Sequence, residues 1–236
     1  MSTDFSIVAI ISVFNEEDII RASVKDLIEN GIKVYLLDHG STDQTVSCVE
    51  DFIGHGILSI ERFPEDCKMT NASTEEYCWR KILQRKEQLA AELDATWFIH
   101  QDADEFRESP WTGVSLFDGI RLVDQLGFNI IDFSVLDFVP TNDNIFNPGD
   151  DPRQVFPYYQ ISNTCNRVQL RCWKKQKGAL DLASSGGHEA VFAGRSIFPI
   201  RFLLRHYPFR SQAHGERKLS KERRPRYLKE EQKRGW

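Results

Sequence analysis

Two aspartates separated by one residue are the first feature of the sequence that could carry chemistry. Asp102 and Asp104 follow directly on an apolar segment that ends at Gln101. Two carboxylates this close repel each other unless a cation lies between or beside them, and hard divalent cations prefer such oxygens together with phosphate oxygens and water. The pair therefore predicts a metal site that faces a diphosphate, although an isolated pair of this kind is more often a solvated loop or a helix cap.

Two further polar clusters also follow apolar segments. One is Asn15-Glu16-Glu17, and the other runs from Asp38 to Asp43 as Asp-His-Gly-Ser-Thr-Asp. A turn with a helix cap explains the second cluster from Gly40 onward, but it leaves Asp38 unexplained. A carboxylate there could accept hydrogen bonds from a base or a ribose, as acidic residues do in dinucleotide-binding folds.

Regular elements must position these clusters, and the hydrophobic pattern predicts them. The apolar, β-branched run at 6–14 is typical of a strand buried on both faces of a parallel sheet. It is followed by a helix capped by Asn15, a strand at 34–37, a helix through Val46 and Ile53, a short strand at 58–60, a helix at 74–93 and a strand at 97–101. This alternation predicts an α/β fold with a mostly parallel central sheet and helices on both faces. Ligands of such sheets bind beyond the carboxyl ends of the strands, where all three clusters fall.

The pattern after Pro110 is less regular. It predicts a helix at 116–126, strands at 129–133, 168–173 and 198–204, and a helical segment after Ala213. The loop at 140–157 is long and rich in Pro, Asn and Asp, which favours a lid or an acceptor-binding segment. No linker divides the chain, so we expect one domain over 1–236 with two halves, 1–110 and 111–236.

Composition places the chain among soluble globular proteins. It has 236 residues, of which 41% are hydrophobic and 28% charged, so disorder and coiled coil are excluded. The longest apolar stretch is far below the roughly 20 residues of a membrane-spanning helix, and the start lacks the basic residues of a signal peptide. Five cysteines without a CxxC pair predict neither a disulfide framework nor a zinc site. We expect a cytoplasmic location.

The charge is unevenly spread. Residues 201–236 hold 12 Lys and Arg against 4 Glu, whereas residues 1–200 carry a net charge of −13. The acidic body argues against a nucleic-acid partner. Attraction of the basic end to an anionic membrane surface, at the inner face, or to an acidic glycan remains open beside a solvated charged helix. The charged run that ends at Trp236 predicts that a longer chain continues there.

The three clusters taken together resemble the pattern of glycosyltransferase family 2, on the fold called GT-A. Ser6-Ile-Val-Ala-Ile-Ile-Ser-Val-Phe-Asn-Glu-Glu17 is similar to its opening strand and turn, and Leu37-Asp-His-Gly-Ser-Thr-Asp-Gln-Thr45 to its second signature. Phe98-Ile-His-Gln-Asp-Ala-Asp-Glu-Phe106 is similar to its metal-binding DxD motif. The resemblance covers about the first 110 residues in order.

The resemblance implies roles for these residues toward a nucleotide sugar. Phe14, Asn15, Glu16 and Asp38 would line the nucleotide pocket, and Asp102 with Asp104 would hold Mg²⁺ or Mn²⁺ against the diphosphate. His39 stands where the family usually has a second aspartate. That departure puts the contact to the base, and with it the identity of the nucleotide, in doubt.

The second half offers further site residues. A late histidine often completes the metal shell of GT-A enzymes, and His206 is that residue here unless it is a core histidine at a strand end. Arg205, Arg210 and Lys218 could contact phosphate, or each could be a solvated surface charge.

A transferase that inverts the configuration at the anomeric carbon also needs a base that removes the proton of the acceptor hydroxyl. The segment Ser-Ser-Gly-Gly-His-Glu at 184–189 offers Glu189 first and His188 second. The alternative is a Gly-rich turn before a strand at 190–192, with Glu189 exposed.

The function implied is a metal-dependent glycosyltransferase that moves a sugar from a nucleotide diphosphate sugar to a hydroxyl of a carbohydrate or lipid-linked acceptor, with inversion. Two alternatives stay open. A nucleotidyltransferase shares the layout, but the turn at 13–17 contains no glycine. A non-catalytic sugar-nucleotide-binding subunit of a polysaccharide assembly system would keep the fold without turnover.

Overall fold

The computed structural model describes residues 5–63, 79–141, 144–161 and 168–219. Their strands are β1 Ile7–Val13, β2 Lys33–Asp38, β3 Ile57–Arg62, β4 Trp97–Asp102, β5 Glu105–Glu108, β6 Ile130–Ile131, β7 Phe133–Phe138, β8 Tyr159–Ile161, β9 Cys172–Lys174 and β10 Phe202–His206. The α-helices are α1 Ile20–Glu29, α2 Trp79–Glu92, α3 Leu116–Gln125, α4 Pro152–Val155 and α5 Gln212–Glu216, and a 3-10 helix spans Ser47–Phe52.

The central sheet has the strand order β3-β2-β1-β4-β9-β6. Its first four strands are parallel, and β9 runs antiparallel to both of its neighbours. A parallel strand needs a crossover on one face, which brings helices onto the sheet. The predicted α/β class with a mostly parallel sheet is confirmed.

Two hydrophobic cores lie on the two faces of this sheet. Successive side chains of a strand point to opposite faces, and β1 follows that rule: Ile7, Ala9 and Ile11 belong to one core, and Val8 and Ile10 to the other. The first core also contains apolar residues of α1 and α3, and the second contains those of α2. The continuous apolar run at the start of the chain is therefore explained by burial on both sides.

A second, four-stranded sheet has the order β5-β10-β7-β8. In it, β10 is parallel to β7 and antiparallel to β5. Because β5 follows β4 after two residues, this sheet continues directly from the end of the central sheet. It brings the late strand β10 beside the segment that carries Asp104.

Several predicted elements are wrong in detail. Asn15 does not cap α1, which begins at Ile20 with no side-chain cap. Its φ is +53°, and its side chain accepts a hydrogen bond from Thr42 in the turn after β2. The helix predicted through Val46 and Ile53 is only a six-residue 3-10 helix. The glycines that follow it adopt positive φ and stop its extension.

The strand predicted at 129–133 is two strands in two different sheets. The chain crosses from β6 to β7 at Asp132, whose carboxylate accepts hydrogen bonds from the backbone N–H groups of Phe133 and Gln169 and pairs with Arg201. The predicted strand at 190–192 makes only isolated bridges. The strands β5 and β8 and the short helix α4, which lies inside the predicted loop at 140–157, were not predicted.

Several predictions fall partly outside the described residues. These are the start of the helix at 74–93, three of the five cysteines, and the chain after residue 219. Cys48 and Cys172 carry free thiols. Within the described ranges, no helix has the length and apolar character needed to cross a membrane.

Candidate functional site

The carboxyl ends of three neighbouring strands meet at one edge of the central sheet. Val13 of β1 is in register with Asp38 of β2, and Ser12 is in register with Asp102 of β4. Because the strands are parallel, the turns that follow them leave the sheet side by side. The predicted convergence of the three polar clusters on one edge follows directly from this register.

Hydrogen bonds tie the first two turns together. The backbone N–H of Asn15 donates to Ser41 Oγ at 3.1 Å, and Asn15 Oδ1 accepts from the Thr42 N–H at 2.9 Å. The Glu16 N–H donates to Thr45 Oγ1 at 2.8 Å. Asn tolerates the left-handed conformation better than most residues, so its type suits both the backbone and these bonds.

Asp38 and His39 are buried at this edge. The carboxylate of Asp38 accepts the Ser41 N–H at 3.0 and 3.3 Å, so it closes the turn that follows β2. The His39 N–H donates to the Val13 carbonyl at 2.9 Å, and the His39 ring meets Phe14 edge-on at 6.5 Å between centroids. Asp38 thus has a structural partner in addition to the nucleotide contact that the resemblance implies.

Asp102 is the more open of the two aspartates, with 31% of its side chain exposed. Its Oδ2 accepts from Arg171 Nη1 at 3.0 Å, and its Oδ1 lies 3.9 Å from His100 Nε2. Burial opposes ionisation, but the nearby Arg171 and Lys86 hold the pKa of Asp102 below its usual value. The carboxylate is therefore ionised.

Asp104 is buried, with 6% of its side chain exposed. Its Oδ2 is 2.7 Å from Lys218 Nζ and 4.0 Å from Arg210 Nη1, and its Oδ1 is 3.7 Å from His206 Nε2. Burial would raise the pKa of Asp104, but Lys218, His206 and Arg210 lower it well below its usual range. Asp104, His206 and Lys218, which are far apart in sequence, are thus brought together.

His206 lies at the end of β10, between two carboxylates. Its Nδ1 is 2.8 Å from Asp137 Oδ1, and its Nε2 faces Asp104. Burial lowers the pKa of His206, and the charges of Asp104 and the bond to Asp137 outweigh that effect and raise it. This tie to two acids favours the imidazolium form.

Arg210 connects this group to the turn after β1. Its guanidinium donates to Glu16 Oε2 at 2.5 Å and to both oxygens of Asp18 at 2.7 and 2.8 Å. Lys218 Nζ lies 3.3 Å from Glu16 Oε1. Glu16 therefore faces two protein cations at the site edge.

These residues do not form a three-ligand metal centre. Among the described residues, no group of three or more His, Cys, Asp and Glu side chains is placed to hold a metal ion. The reason is visible in the ion pairs: Asp102 is paired with Arg171 and Asp104 with Lys218. The donor set expected from Asp102, Asp104 and His206 does not fit a divalent cation in this arrangement.

A buried charge network next to Asp102 was not predicted from the sequence. Arg171 Nη1 also donates to Glu105 Oε1 at 2.8 Å, and Arg107 Nη2 donates to Glu105 Oε2 at 2.8 Å and to the His100 carbonyl. Arg107 Nη1 also contacts the side-chain oxygen of Gln101. The one available signal was an arginine inside an apolar stretch, since a buried charge requires a partner.

His188 and Glu189 are differently placed. His188 Nδ1 lies 3.2 Å from Arg171 Nη2 and 3.3 Å from Gln169 Nε2. Guanidinium nitrogens only donate, so Nδ1 is an acceptor and Nε2 carries the proton of the neutral ring. The Glu189 carboxylate is about a third exposed and pairs with Arg195 at 3.1 Å. Arg171 therefore links His188, but not Glu189, to Asp102.

Four basic residues in the described part of the C-terminal region pair with acidic residues of the protein. Arg205 pairs with Glu108 at 2.6 Å and Arg201 with Asp132 at 2.7 Å. Arg210 and Lys218 pair with the acids already described. Most of the positive charge in 201–219 is thus neutralised within the protein.

Comparison with known proteins supports the resemblance for one part of the chain. Residues 8–65, which include all of β1 except Ile7, the whole of β2 and both of their turns, match the family model described as Glycosyl transferase family 2. The chain therefore contains a region of the glycosyltransferase family 2 type. No curated protein sequence matches the chain closely enough to count as a relative.

Two of the solved structures that match the chain show how far the similarity extends. One is TarS 1-349 from S. aureus in complex with UDP, with 9% identity, a TM-score of 0.47, and coverage of 85% of this chain and 60% of that one. The other is glucosyl-3-phosphoglycerate synthase from Mycobacterium tuberculosis in complex with Mn²⁺, UDP and glucosyl-3-phosphoglycerate, with 17% identity, a TM-score of 0.33, and coverage of 56% and 44%. The chain thus spans less than two thirds of either protein. With both TM-scores below 0.5, the site rests on its own geometry and on the family match.

Proposed function

We propose that this chain is a glycosyltransferase that moves a sugar from a nucleoside diphosphate sugar to an acceptor hydroxyl. The observation that carries the proposal is the convergence of the turns after β1, β2 and β4 on one sheet edge, two of them inside the family match. The crevice beyond the carboxyl ends of parallel strands is where open α/β sheets bind their ligands. Phe14, Asn15, Asp38 and His39 face the nucleotide in this proposal.

The reaction needs positive charge at the leaving group. The bond between the anomeric carbon and the diphosphate breaks, the acceptor oxygen forms the new bond, and the diphosphate leaves with added negative charge. Arginine and lysine side chains fixed near the leaving group stabilise such charge electrostatically, even where their N–H groups already bond protein oxygens. Arg171, Arg210 and Lys218 are the cations of this site, and we assign that role to them.

The acceptor hydroxyl gives its proton to a base on the opposite side of the sugar if the transfer inverts the anomeric centre. Glu189 is the stronger candidate for this base because its carboxylate is partly exposed. His188 already uses Nδ1 as an acceptor from Arg171, so it suits a role as a hydrogen-bond donor through Nε2. An inverting reaction with Glu189 as base is thus our proposal.

A divalent cation stays part of the proposal as a prediction from the DxD pattern. Mg²⁺ or Mn²⁺ would supply additional charge for the departing diphosphate. Since the described side chains do not form a ligand set for it, no step of the reaction is assigned to the metal.

The central experiment combines binding and turnover. UDP is the first probe because both similar structures hold it, and a panel of nucleoside diphosphates and their sugars follows because His39 departs from the family pattern. Ligand binding to the folded state raises the melting temperature by mass action. We expect one nucleotide to raise it and its sugar conjugate to be turned over.

The matched variants are Asp102→Asn and Asp94→Asn. Asp94 is exposed in the turn that precedes β4, at the opposite end of the strand from the site. We expect D102N to reduce turnover at least a hundredfold and D94N to leave it unchanged. Equal turnover by D102N and the unsubstituted protein would refute the proposal, whereas binding without turnover by the unsubstituted protein would favour the non-catalytic subunit.

We also propose that residues 220–236, with 7 Lys and Arg against 3 Glu, make any contact with an anionic membrane surface that a lipid-linked acceptor requires. Binding to vesicles containing anionic lipid should weaken with added salt. It should disappear in a chain that ends at Leu219. Binding that survives this truncation would contradict the assignment.

A further inference from the structure

The ammonium group of Lys218 lies among three oxygen atoms at the site edge. Its Nζ is 2.7 Å from Asp104 Oδ2, 3.3 Å from Glu16 Oε1 and 3.4 Å from the carbonyl oxygen of Pro208. An ammonium group has three N–H donors and no acceptor, so one donor is available for each oxygen. Two carboxylate oxygens and a carbonyl oxygen are also the ligand types that a hard cation takes.

Burial makes this arrangement a fixed part of the fold. Only 7% of the Lys218 side chain and 6% of the Asp104 side chain are exposed. An isolated buried charge is strongly unfavourable, and removing one partner of such a pair leaves the other uncompensated. Asp104 therefore has its counterion built into the chain, 114 residues further on.

The same oxygen atoms cannot serve Lys218 and a divalent cation together. A metal ion bound to Asp104 Oδ2 would stand within a few ångströms of the ammonium group, and like charges at that separation repel. The neighbouring Arg210, 4.0 Å from the same oxygen, adds to that repulsion. Asp104 is thus less accessible to a metal ion than Asp102, whose side chain is 31% exposed.

We propose that Lys218 is the resident cation of this site, so that Asp104 anchors the segment after β10 and is not a metal ligand while Lys218 is in place. If a divalent cation bound beside the diphosphate, Asp102, with 31% of its side chain exposed, would be the carboxylate of the pair that could contact it. The inference rests on the proposed function only for the presence of the diphosphate. The pairing of Lys218 with Asp104 does not depend on the proposed function.

The test is a Mn²⁺ titration followed by electron paramagnetic resonance, which reports free Mn²⁺ and needs no turnover. It uses the full chain, first with Mn²⁺ alone and then with Mn²⁺ and UDP. The variants are Asp104→Asn, Lys218→Met and the two changes combined. Asn at position 104 keeps an oxygen acceptor for Lys218, so D104N retains the local packing.

We expect the Mn²⁺ dissociation constants of the unsubstituted protein and of D104N to agree within twofold. Lys218→Met vacates the three oxygens and should bind Mn²⁺ at least tenfold more tightly than the unsubstituted protein, and adding D104N should remove that gain. Mn²⁺ should also raise the melting temperature of K218M more than that of the unsubstituted protein.

Two results would overturn the inference: a tenfold or greater loss of Mn²⁺ affinity in D104N alone, or a folded K218M that binds Mn²⁺ no better than the unsubstituted protein. If K218M does not fold, the comparison of D104N with the unsubstituted protein decides the matter. Absence of UDP binding in every variant would count against the proposed function, and the titrations with Mn²⁺ alone would still decide the role of Lys218.

Discussion

At the scale of single residues, Arg171 decides how the site is connected. Its guanidinium contacts Asp102, Glu105 and His188 while its side chain is only 6% exposed. The residue at the end of β4 and the residue in the Gly-rich segment at 184–189 therefore share one partner. A substitution of Arg171 should therefore affect both Asp102 and His188.

Arg171→Met should raise the pKa of His188. Burial first, and the charge of Arg171 second, lower that pKa, so removing the charge relieves part of the shift. The measurement is an NMR titration of the His188 ring. Arg195→Met is the control because Arg195 pairs with Glu189 instead, and a pKa of His188 that moves equally in both variants would contradict the assignment.

The same change should reduce the free energy of unfolding by about 3–5 kcal/mol, since it leaves Asp102 without its arginine and removes one of the two arginines that pair with the buried Glu105. Arg171→Lys keeps the charge and should cost less. Chemical denaturation measures both values. A loss below about 1 kcal/mol in R171M would mean that Arg171 does not hold a buried ion-pair network together.

Lys86 should make stability depend on pH in the alkaline range. Its side chain is fully buried, with Nζ 3.1 Å from His100 Nδ1, and burial lowers its pKa from 10.5 to about 7. Between these two values the unfolded chain binds a proton that the folded chain does not, so the free energy of unfolding rises with pH. The slope approaches about 1.4 kcal/mol per pH unit.

Lys86→Met should flatten this slope between pH 7 and 9. Denaturation curves at several pH values measure it. Lys81→Met on the exposed side of the same helix is the matched control and should keep the slope. A K86M protein with an unchanged pH dependence would show that Lys86 is not held in the neutral form.

At the scale of elements, the lack of a side chain at Gly187 allows the Gly-rich segment at 184–189 to pack closely against His100 of β4. Gly187 has φ +84°, and a Cβ there would lie 2.9 Å from Leu83 Cδ2 and 3.1 Å from His100 Nε2. The glycine is therefore required both by its backbone conformation and by close packing. It keeps His188 within reach of Arg171.

Gly187→Ala should destabilise the protein by more than Gly194→Ala. Gly194 has φ +74° with no atom within 4 Å of the added Cβ, so it reports the cost of the backbone conformation alone, roughly 1 kcal/mol. The close contacts at Gly187 add about 1–3 kcal/mol. Thermal unfolding measures both, and equal losses would mean that the surroundings of Gly187 adapt freely.

The element predictions that failed share a physical cause. Asn15 has the residue type of a helix cap, but its bonds to the turn after β2 decide its conformation. Asp132 lies inside a run of β-forming residues, yet its carboxylate satisfies backbone groups where the chain changes sheets. In both cases the deciding partner is distant in sequence, so no local pattern contains it.

At the scale of the whole molecule, Arg210 joins the end of the described chain to its beginning. It pairs with Glu16 and Asp18, which precede it by more than 190 residues. Its side chain is 1% exposed, so the pairs are shielded from solvent. The segment around α5 is thereby fixed against the turn after β1.

Arg210→Met should lower the free energy of unfolding by about 3–5 kcal/mol and speed hydrogen exchange in residues 212–219. Arg121→Met, which breaks a surface pair with Asp118, should cost less than about 1 kcal/mol. Denaturation and hydrogen-exchange mass spectrometry measure the two effects. Unchanged exchange in R210M would contradict the anchoring role of the arginine.

The sequence by itself determined the α/β class, the order β1 to β4 and the three polar clusters at strand ends, because hydrophobic periodicity and turn residues are local properties. It also pointed to Asp102, Asp104 and His206 as members of one site. Only the tertiary structure decided their partners. The pairing of Asp104 with Lys218 and of Asp102 with Arg171 depends on strands β9 and β10 and the segment after β10, which approach the site late in the chain. The charge state and the partner of a buried carboxylate depend on the groups within a few ångströms of it and not on its neighbours in sequence. The two aspartates that predict a metal site are therefore paired with cations of the protein itself.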